Sequence, residues 1–526
     1  MGLLSSWPSR VQQGRAPVLG RVAVATSHPL AAQAGLQVLL AGGNAVDAAV
    51  ATAAVLTVVE PTANGLGSDA FALVVKGAQI HGFNGSGRSP AGWTPERFAG
   101  LDAMPRRGWD SVTVPGAVSL WAHLAEAHGT WSFERLLAPA IRIAEEGFLV
   151  SPGVAVGWER ARGDLCVYPD WAATFLRDGR PPAAGALWRA PDHAATLAEL
   201  AATGGASLYD GSLAERLADA AAAQGGALTV EDLRAHRVDP ATPLGVSFGD
   251  CELLELPPNG QGIAALIAAG VLDRVRSRTD DPIRAAHLQI EAMKIGFADA
   301  ERHVADPGFL DVDPATLLTS SYLDERAATI DPEGAGAPTA GLPTGSSTVY
   351  LCVGDADGGL VSFIQSNYEG FGSGIVVPGT GIALQNRGAG FTLQPGHPNQ
   401  VGPGKRPFHT IIPALIRVAG EVRVAFGVMG GPVQPQGHLQ VLTHLEAGLD
   451  PQAALDRPRW RLGPGRTIWL EPGLSMLSNG LKDLGHEPAV GHRGAVFFGG
   501  GQAIVKVDGG WVAGSDARRD GQAVVA

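Results

Sequence analysis

The chain has 526 residues, of which 45% are hydrophobic and 17% charged, and a formal net charge of −12. That length exceeds one simple hydrophobic core, and the composition is globular, without the polar tracts of a disordered protein. The negative charge argues against nucleic acid or an anionic membrane as a partner.

The N-terminal stretch MGLLSSWPSRVQQGRAP lacks a basic start followed by a long apolar core, so no secretory signal is expected and a cytoplasmic location follows. Gly2 and Ser6 fit the loose myristoylation pattern, which is short enough to arise by chance. ATSHPLAAQAGLQVLLAGGNAVDAAV reads as two consecutive helices, with Ser27 as cap, Pro29 in the first turn and Gly42–Gly43 as the stop. Ala45–Val59 is too short to span a bilayer and contains Asp47, so it reads as a buried helix. EPTANGLGSDAFALVV turns on glycines into a strand. From DSVTVPGAVSLWAHLAEAHG to about Gly296 the pattern is mostly helical, interrupted by the strand-like GVSFGDCELLELPPNGQG. HLQIEAMKIGFADAERHVADP is one amphipathic helix, with Leu288, Ala292, Ile295 and Phe297 near one side. After Pro343 the texture changes. TVYLCVGDADGGLVSFIQS and FHTIIPALIRVAGEVRVAFGVMGG each read as strand, turn, strand. Helices first and strands later, without a clear linker, predict an α+β fold whose sheets are covered by helices.

Few residues in this chain announce chemistry. Cys166, Cys251 and Cys352 are far apart and odd in number, which predicts buried thiols and no metal centre. There is no phosphate loop, HExxH or GxSxG. Gly260–Gly262 reads as a helix-start turn whose amides could line a pocket. Thr348 stands where a loop of small and hydroxyl residues, PTGSS, meets the strand. It is either an ordinary strand residue or the first residue of a cleaved chain. In the second case its hydroxyl is the nucleophile and its freed α-amine the base. An α-amine titrates near neutrality, close to working pH.

Long motifs carry a family resemblance. SHPLAAQAGLQVLLAGGNAVDAAVATAAVLTVVEP, TVPGAVSLWAHL, LLAPAIRIAEEGFLVS, LPPNGQG, AMKIGFADAERHVADP, PGTGIALQNR, PGKRPFHTIIP and GGPVQPQGH follow, in order, the pattern of the γ-glutamyltransferases (glutathione hydrolases). The resemblance implies a four-layer αββα sandwich of the N-terminal-nucleophile hydrolase type, cut between Ser347 and Thr348. The products would be a helix-rich large subunit, 1–347, and a strand-rich small subunit, 348–526, which together make one fold. It further implies Thr348 as nucleophile, Ser366 as the hydroxyl supporting it, and Gly430 and Gly431 as oxyanion donors. It implies a small amide or γ-glutamyl substrate and no cofactor. It leaves open the oligomeric state, an assembly of such heterodimers included.

The substrate-reading positions depart from the family. Ser86 stands at the family's carboxylate-binding arginine, with Arg88 two residues on as a candidate substitute. Gly390 stands at the acid that grips the substrate α-amine, Tyr368 at an asparagine, and His409 and Thr410 at the paired serines. Arg387 replaces a glutamine. A buried charge without a partner is costly, so losing the acid points to an acyl group with a carboxylate and no α-amine. These variants resemble a divergent branch that includes glutaryl-acylase-like and oxamate-amidohydrolase-like members. Lys405 and Arg406 are expected to pair locally with acids. A catalytically silent binding homologue is the alternative of another class.

Overall fold

The computed structural model describes residues 15–336, 347–491 and 497–526. Two antiparallel seven-stranded sheets form its centre. The first runs, edge to edge, through Gln522–Val525, Ala23–Thr26, Ser347–Gly354, Leu360–Tyr368, Asp69–Lys76, Gln79–Asn84 and Asp239–Pro240. The second runs through Val18–Gly20, Gly510–Ser515, Gly500–Val507, Glu421–Met429, Ala414–Val418, Cys251–Glu255 and Leu244–Phe248. Each sheet draws strands from both sides of residue 347.

Side chains alternate across a strand, and here both faces are apolar. From Ser347–Gly354, Tyr350 and Cys352 enter the core between the sheets, where they meet Phe71, Leu73, Ile364, Leu415, Ala425, Met429 and Ile504. Val349, Leu351 and Val353 point the other way, into the cluster that includes helices Pro29–Leu40, Ala45–Val59 and Ala117–His128. The outer face of the second sheet packs Ile416, Val424, Phe426 and Val428 against helices Gly262–Val275, Pro282–His303 and Val433–Glu446. The layers are therefore helix, sheet, sheet, helix, as the resemblance implied. The sheets approach closely: a Cβ at Gly427 would lie 2.5 Å from the Tyr350 ring.

Ala45–Val59 is buried at every residue and begins with a capping box, in which Asn44 accepts from the Asp47 amide and Asp47 from the Asn44 amide, both at 2.9 Å. The preceding helix is capped one residue later than expected. His28 Nδ1 accepts from the Leu30 amide, while the Ser27 hydroxyl donates to Glu60 (2.5 Å). Cys251 and Cys352 are buried, but Cys166, just past the helix Pro152–Leu165, is exposed, contrary to expectation. Lys405 also departs from expectation: its ammonium donates to the Pro398 and Gln400 carbonyls (2.9 and 2.8 Å), whereas Arg406 does pair with Asp239. Gly2, Ser6 and the loop residues Pro343–Ser346 lie outside the described residues. Among the described residues no helix is long and apolar enough to cross a membrane.

Candidate active site

Thr348, Ser366 and Asp69 lie at the same end of three neighbouring strands of the first sheet. The ladder between Ser347–Gly354 and Leu360–Tyr368 is interrupted by a bulge between Ser347 and Val349. Bulges re-aim a side chain. At this one the buried Thr348 hydroxyl donates to Ser366 Oγ (3.1 Å). Ser366 Oγ also accepts from the Tyr368 amide (2.8 Å). Tyr368 holds φ at +75°, a conformation that non-glycine residues rarely adopt and that concentrates at functional sites.

The second sheet brings Gly430 and Gly431 directly after strand Glu421–Met429 and just before helix Val433–Glu446. Their φ angles of 141° and 63° require glycine. Among the described residues neither amide nitrogen has a hydrogen-bond acceptor, and both sit by the positive end of that helix. Gln261 ties this turn to the neighbouring loop, because its Nε2 donates to both Gly431 O (3.0 Å) and Thr410 O (2.6 Å). The loop from Asn259 to Gln261 is thus more than the start of helix Gly262–Val275: its backbone also pairs with His409, through His409 N to Asn259 O and Gln261 N to His409 O (2.9 Å each).

Between these two walls lies Arg387, 1% exposed. Its Nη1 donates to Thr410 Oγ1 (2.7 Å), and its guanidinium sits over the Tyr368 ring at 4.6 Å. Its Nε and Nη2 have no hydrogen-bond partner among the described residues. Burial pulls its pKa down to about 10 against the opposing pull of Asp69, Tyr368 and Glu369. A buried guanidinium with two unmatched N–H positions can receive an anion.

His409, expected to face the substrate, is instead paired with Asp69. Its Nδ1 accepts from the Ile411 amide (3.4 Å), which leaves the proton on Nε2 to reach Asp69 Oδ2 at 3.1 Å. Burial, with Arg387 and Arg406 nearby, keeps the ring neutral. Asp69 also accepts from the Gly87 amide (3.1 Å), and burial pushes its carboxyl up to about 7. Sequence reasoning passed over Asp69. Its signal was a single acid at the head of the apolar run DAFALVV, in phase with the inward-facing Phe71 and Leu73.

Arg88 is not drawn into this group. It is bonded to Asp306 (2.6 Å) and the Gly404 carbonyl (3.1 Å), with Asp239 at 3.5 Å. Ser86 is also internal, donating to Asn84 Oδ1 (2.7 Å). Gly390 leaves no space for an acid, because a Cβ there would lie 2.5 Å from Phe408 O. Glu369, near Arg387, is engaged by Arg106. Elsewhere, His287, Glu291 and His486 bring ligand-type atoms within 4.8 Å of one another, but Lys294 already neutralises Glu291 (2.7 Å) and the histidines bond each other (2.8 Å).

Residues 31–526 match the profile of the gamma-glutamyltranspeptidase family. The chain belongs to that family. Two relatives define its neighbourhood within it. It is 36% identical to a glutathione hydrolase-like proenzyme of Bacillus subtilis, over 95% of this chain and 98% of that one. It is 38% identical to the oxamate amidohydrolase proenzyme of Klebsiella pneumoniae, over 89% and 93%. In three dimensions it is similar to the cephalosporin acylase of Bacillus halodurans, with a TM-score of 0.93, 44% identity and coverage of 99% and 98%. This gamma-glutamyltranspeptidase-family chain is a hydrolase or acyltransferase with the N-terminal-nucleophile hydrolase fold, from the divergent acylase branch.

Proposed function

We propose that the chain cleaves itself between Ser347 and Thr348 and then acts as an amidase on acyl groups that end in a carboxylate and carry no α-amine, such as dicarboxylic monoamides. The freed Thr348 amine takes the hydroxyl proton as Oγ1 attacks the amide carbonyl. Ser366, already bonded to that hydroxyl, orients it. The Gly430 and Gly431 amides receive the developing oxyanion. The amine then returns the proton to the leaving nitrogen, the C–N bond breaks, and an acyl-threonine remains. Water, or an amine acceptor, attacks that ester and restores Thr348.

The observation that carries the acyl class is the buried Arg387, with Nε and Nη2 unmatched among the described residues. A side chain at Gly390 would crowd the Phe408 carbonyl, which leaves that position without the acid a glutamyl α-amine would need and supports a pocket unlike a glutathione-reading one. The relatives named for oxamate and cephalosporin acyl chemistry support the same assignment.

The test is intact-mass analysis of wild type and Thr348→Ala, followed by assay of glutaryl, oxamate and γ-glutamyl amides. Wild type is expected as two chains, 1–347 and 348–526, with the variant intact and the glutaryl or oxamate amide consumed fastest. An uncleaved, inactive wild type sinks the mechanism. A clear preference for the γ-glutamyl amide sinks the acyl class.

A further inference from the structure

We infer that Asp69 is a specificity-setting residue: the buried carboxylate that balances Arg387 within the protein and competes with a substrate carboxylate for it. This rests on the reading of Arg387 as the acyl-carboxylate receptor.

The connections run through few atoms. Asp69 and His409 are both fully buried and joined at 3.1 Å. The residue after His409 is Thr410, whose hydroxyl takes Arg387 Nη1. Asp69 therefore acts on the guanidinium through its charge, without a hydrogen bond to it, and through the loop that positions it. On its other side Asp69 is the direct cross-strand neighbour of Ser366, which accepts the Thr348 hydroxyl. One acid thus stands behind the receptor and beside the nucleophile's support.

The charged and titratable groups around it are few. Arg387 and Arg406 face it as cations, His409 as a neutral ring, and Tyr209 as a phenol that donates to the Pro115 carbonyl (2.9 Å). Arg406 is committed to Asp239 and to the Ser86 carbonyl. That leaves Arg387 as the cation Asp69 shares with the ligand. A substrate carboxylate on Arg387 puts two anions on one guanidinium in a site with little water, where like charges cannot both persist cheaply. The relief is uptake of one proton by the Asp69–His409 pair, whose apparent titration belongs to the pair. Burial already pushes Asp69 up to about 7, so the competition switches on as pH rises through neutrality.

The measurement is the ratio of kcat/KM for a glutaryl anilide to that for the isosteric, uncharged 4-carbamoylbutanoyl anilide, followed from about pH 6 to about pH 9. The ratio cancels the titration of the Thr348 amine, which both substrates share. In wild type it is expected to fall several-fold across that range, and in Asp69→Asn to stay flat. Arg387→Ala is expected to abolish the glutaryl preference at every pH. A flat wild-type ratio overturns the Asp69 assignment, and because it is read on wild type it stands even if Asp69→Asn does not fold. A slope that persists unchanged in folded Asp69→Asn overturns it equally. If Arg387→Ala keeps its glutaryl preference, the receptor reading itself fails, and that outcome is distinct from the other two.

Discussion

In the proposed mechanism Arg387 and Thr348 divide the work of the site, and single substitutions should separate them. Arg387→Lys keeps a positive charge but loses the planar fork that presents Nε and Nη2 together. Its kcat/KM for a carboxylate-ended amide is expected to drop by about 100-fold, mostly in KM, with an uncharged acyl amide changing far less. Ser366→Ala removes the acceptor of the Thr348 hydroxyl and should lower kcat and slow self-cleavage, read as residual full-length chain by mass. Thr348, Ser366, Gly430 and Gly431 were singled out in sequence because the family motifs fixed their places, and the structure joins the first two by a hydrogen bond. Arg387 was legible as a departure from them. Asp69 and Gln261 were not, since their significance lies in partners far along the chain: His409 for Asp69, and Thr410 and Gly431 for Gln261. His409 was legible as a residue of the site but not in its role, because no local pattern says that a buried ring answers to an acid 340 residues away.

At the scale of elements, the site depends on how closely the two sheets face each other. Gly427→Ala places a methyl 2.5 Å from the Tyr350 ring, on the strand that leads directly into Gly430. Overpacking of this kind costs about 1–3 kcal/mol, so the variant should melt about 1–3 °C lower and process more slowly. The buried helix Ala45–Val59 offers a second test. Asp47 accepts from the amides of Asn44, Thr130 and Trp131 at 2.9–3.2 Å, so it joins the helix start to the loop that follows another helix. Asp47→Ala is expected to cost about 2–4 kcal/mol, measured by urea unfolding of the Thr348→Ala precursor, because it removes one fully buried acceptor from several donors at once. The helices and hairpins themselves were readable from periodicity and turn residues. The capping residue slipped by one, from Ser27 to His28, because the Ser27 hydroxyl is held by Glu60, whose partnership no local pattern announces.

The whole molecule carries a pH signature. His28, His193, His236, His438, His444 and His486 are held well below the usual imidazole range, to about 3 or 4, with burial the largest cause in each. The unfolded chain binds protons on these residues below about pH 6.5, while the folded one refuses them until far lower. Stability from this group is therefore complete above about pH 6.5 and lost as pH falls toward 4. Glu60 and Asp69, raised to about 7, act in the opposite sense, losing stability as pH rises from their unfolded range through 7. The histidines outnumber them, so the melting temperature should decline from about pH 6.5 downward, with a shallow shoulder near neutrality. A melting temperature that rises on acidification over that range contradicts this balance.

The interleaving of strands from both sides of residue 347 gives the proposed cut a further consequence. Ala23–Thr26, from the early part of the chain, lies between Ser347–Gly354 and Gln522–Val525, which come after the cut. A chain severed at that point keeps its shape but loses the covalent memory that assembled it. Once denatured, its two pieces must find each other as separate molecules and rebuild both sheets together. The mature enzyme would then endure by the height of its unfolding barrier rather than by the depth of its equilibrium. Diluted from urea, the Thr348→Ala precursor should recover its fold where the matured protein does not. Activation in such a molecule is also its last chance to fold.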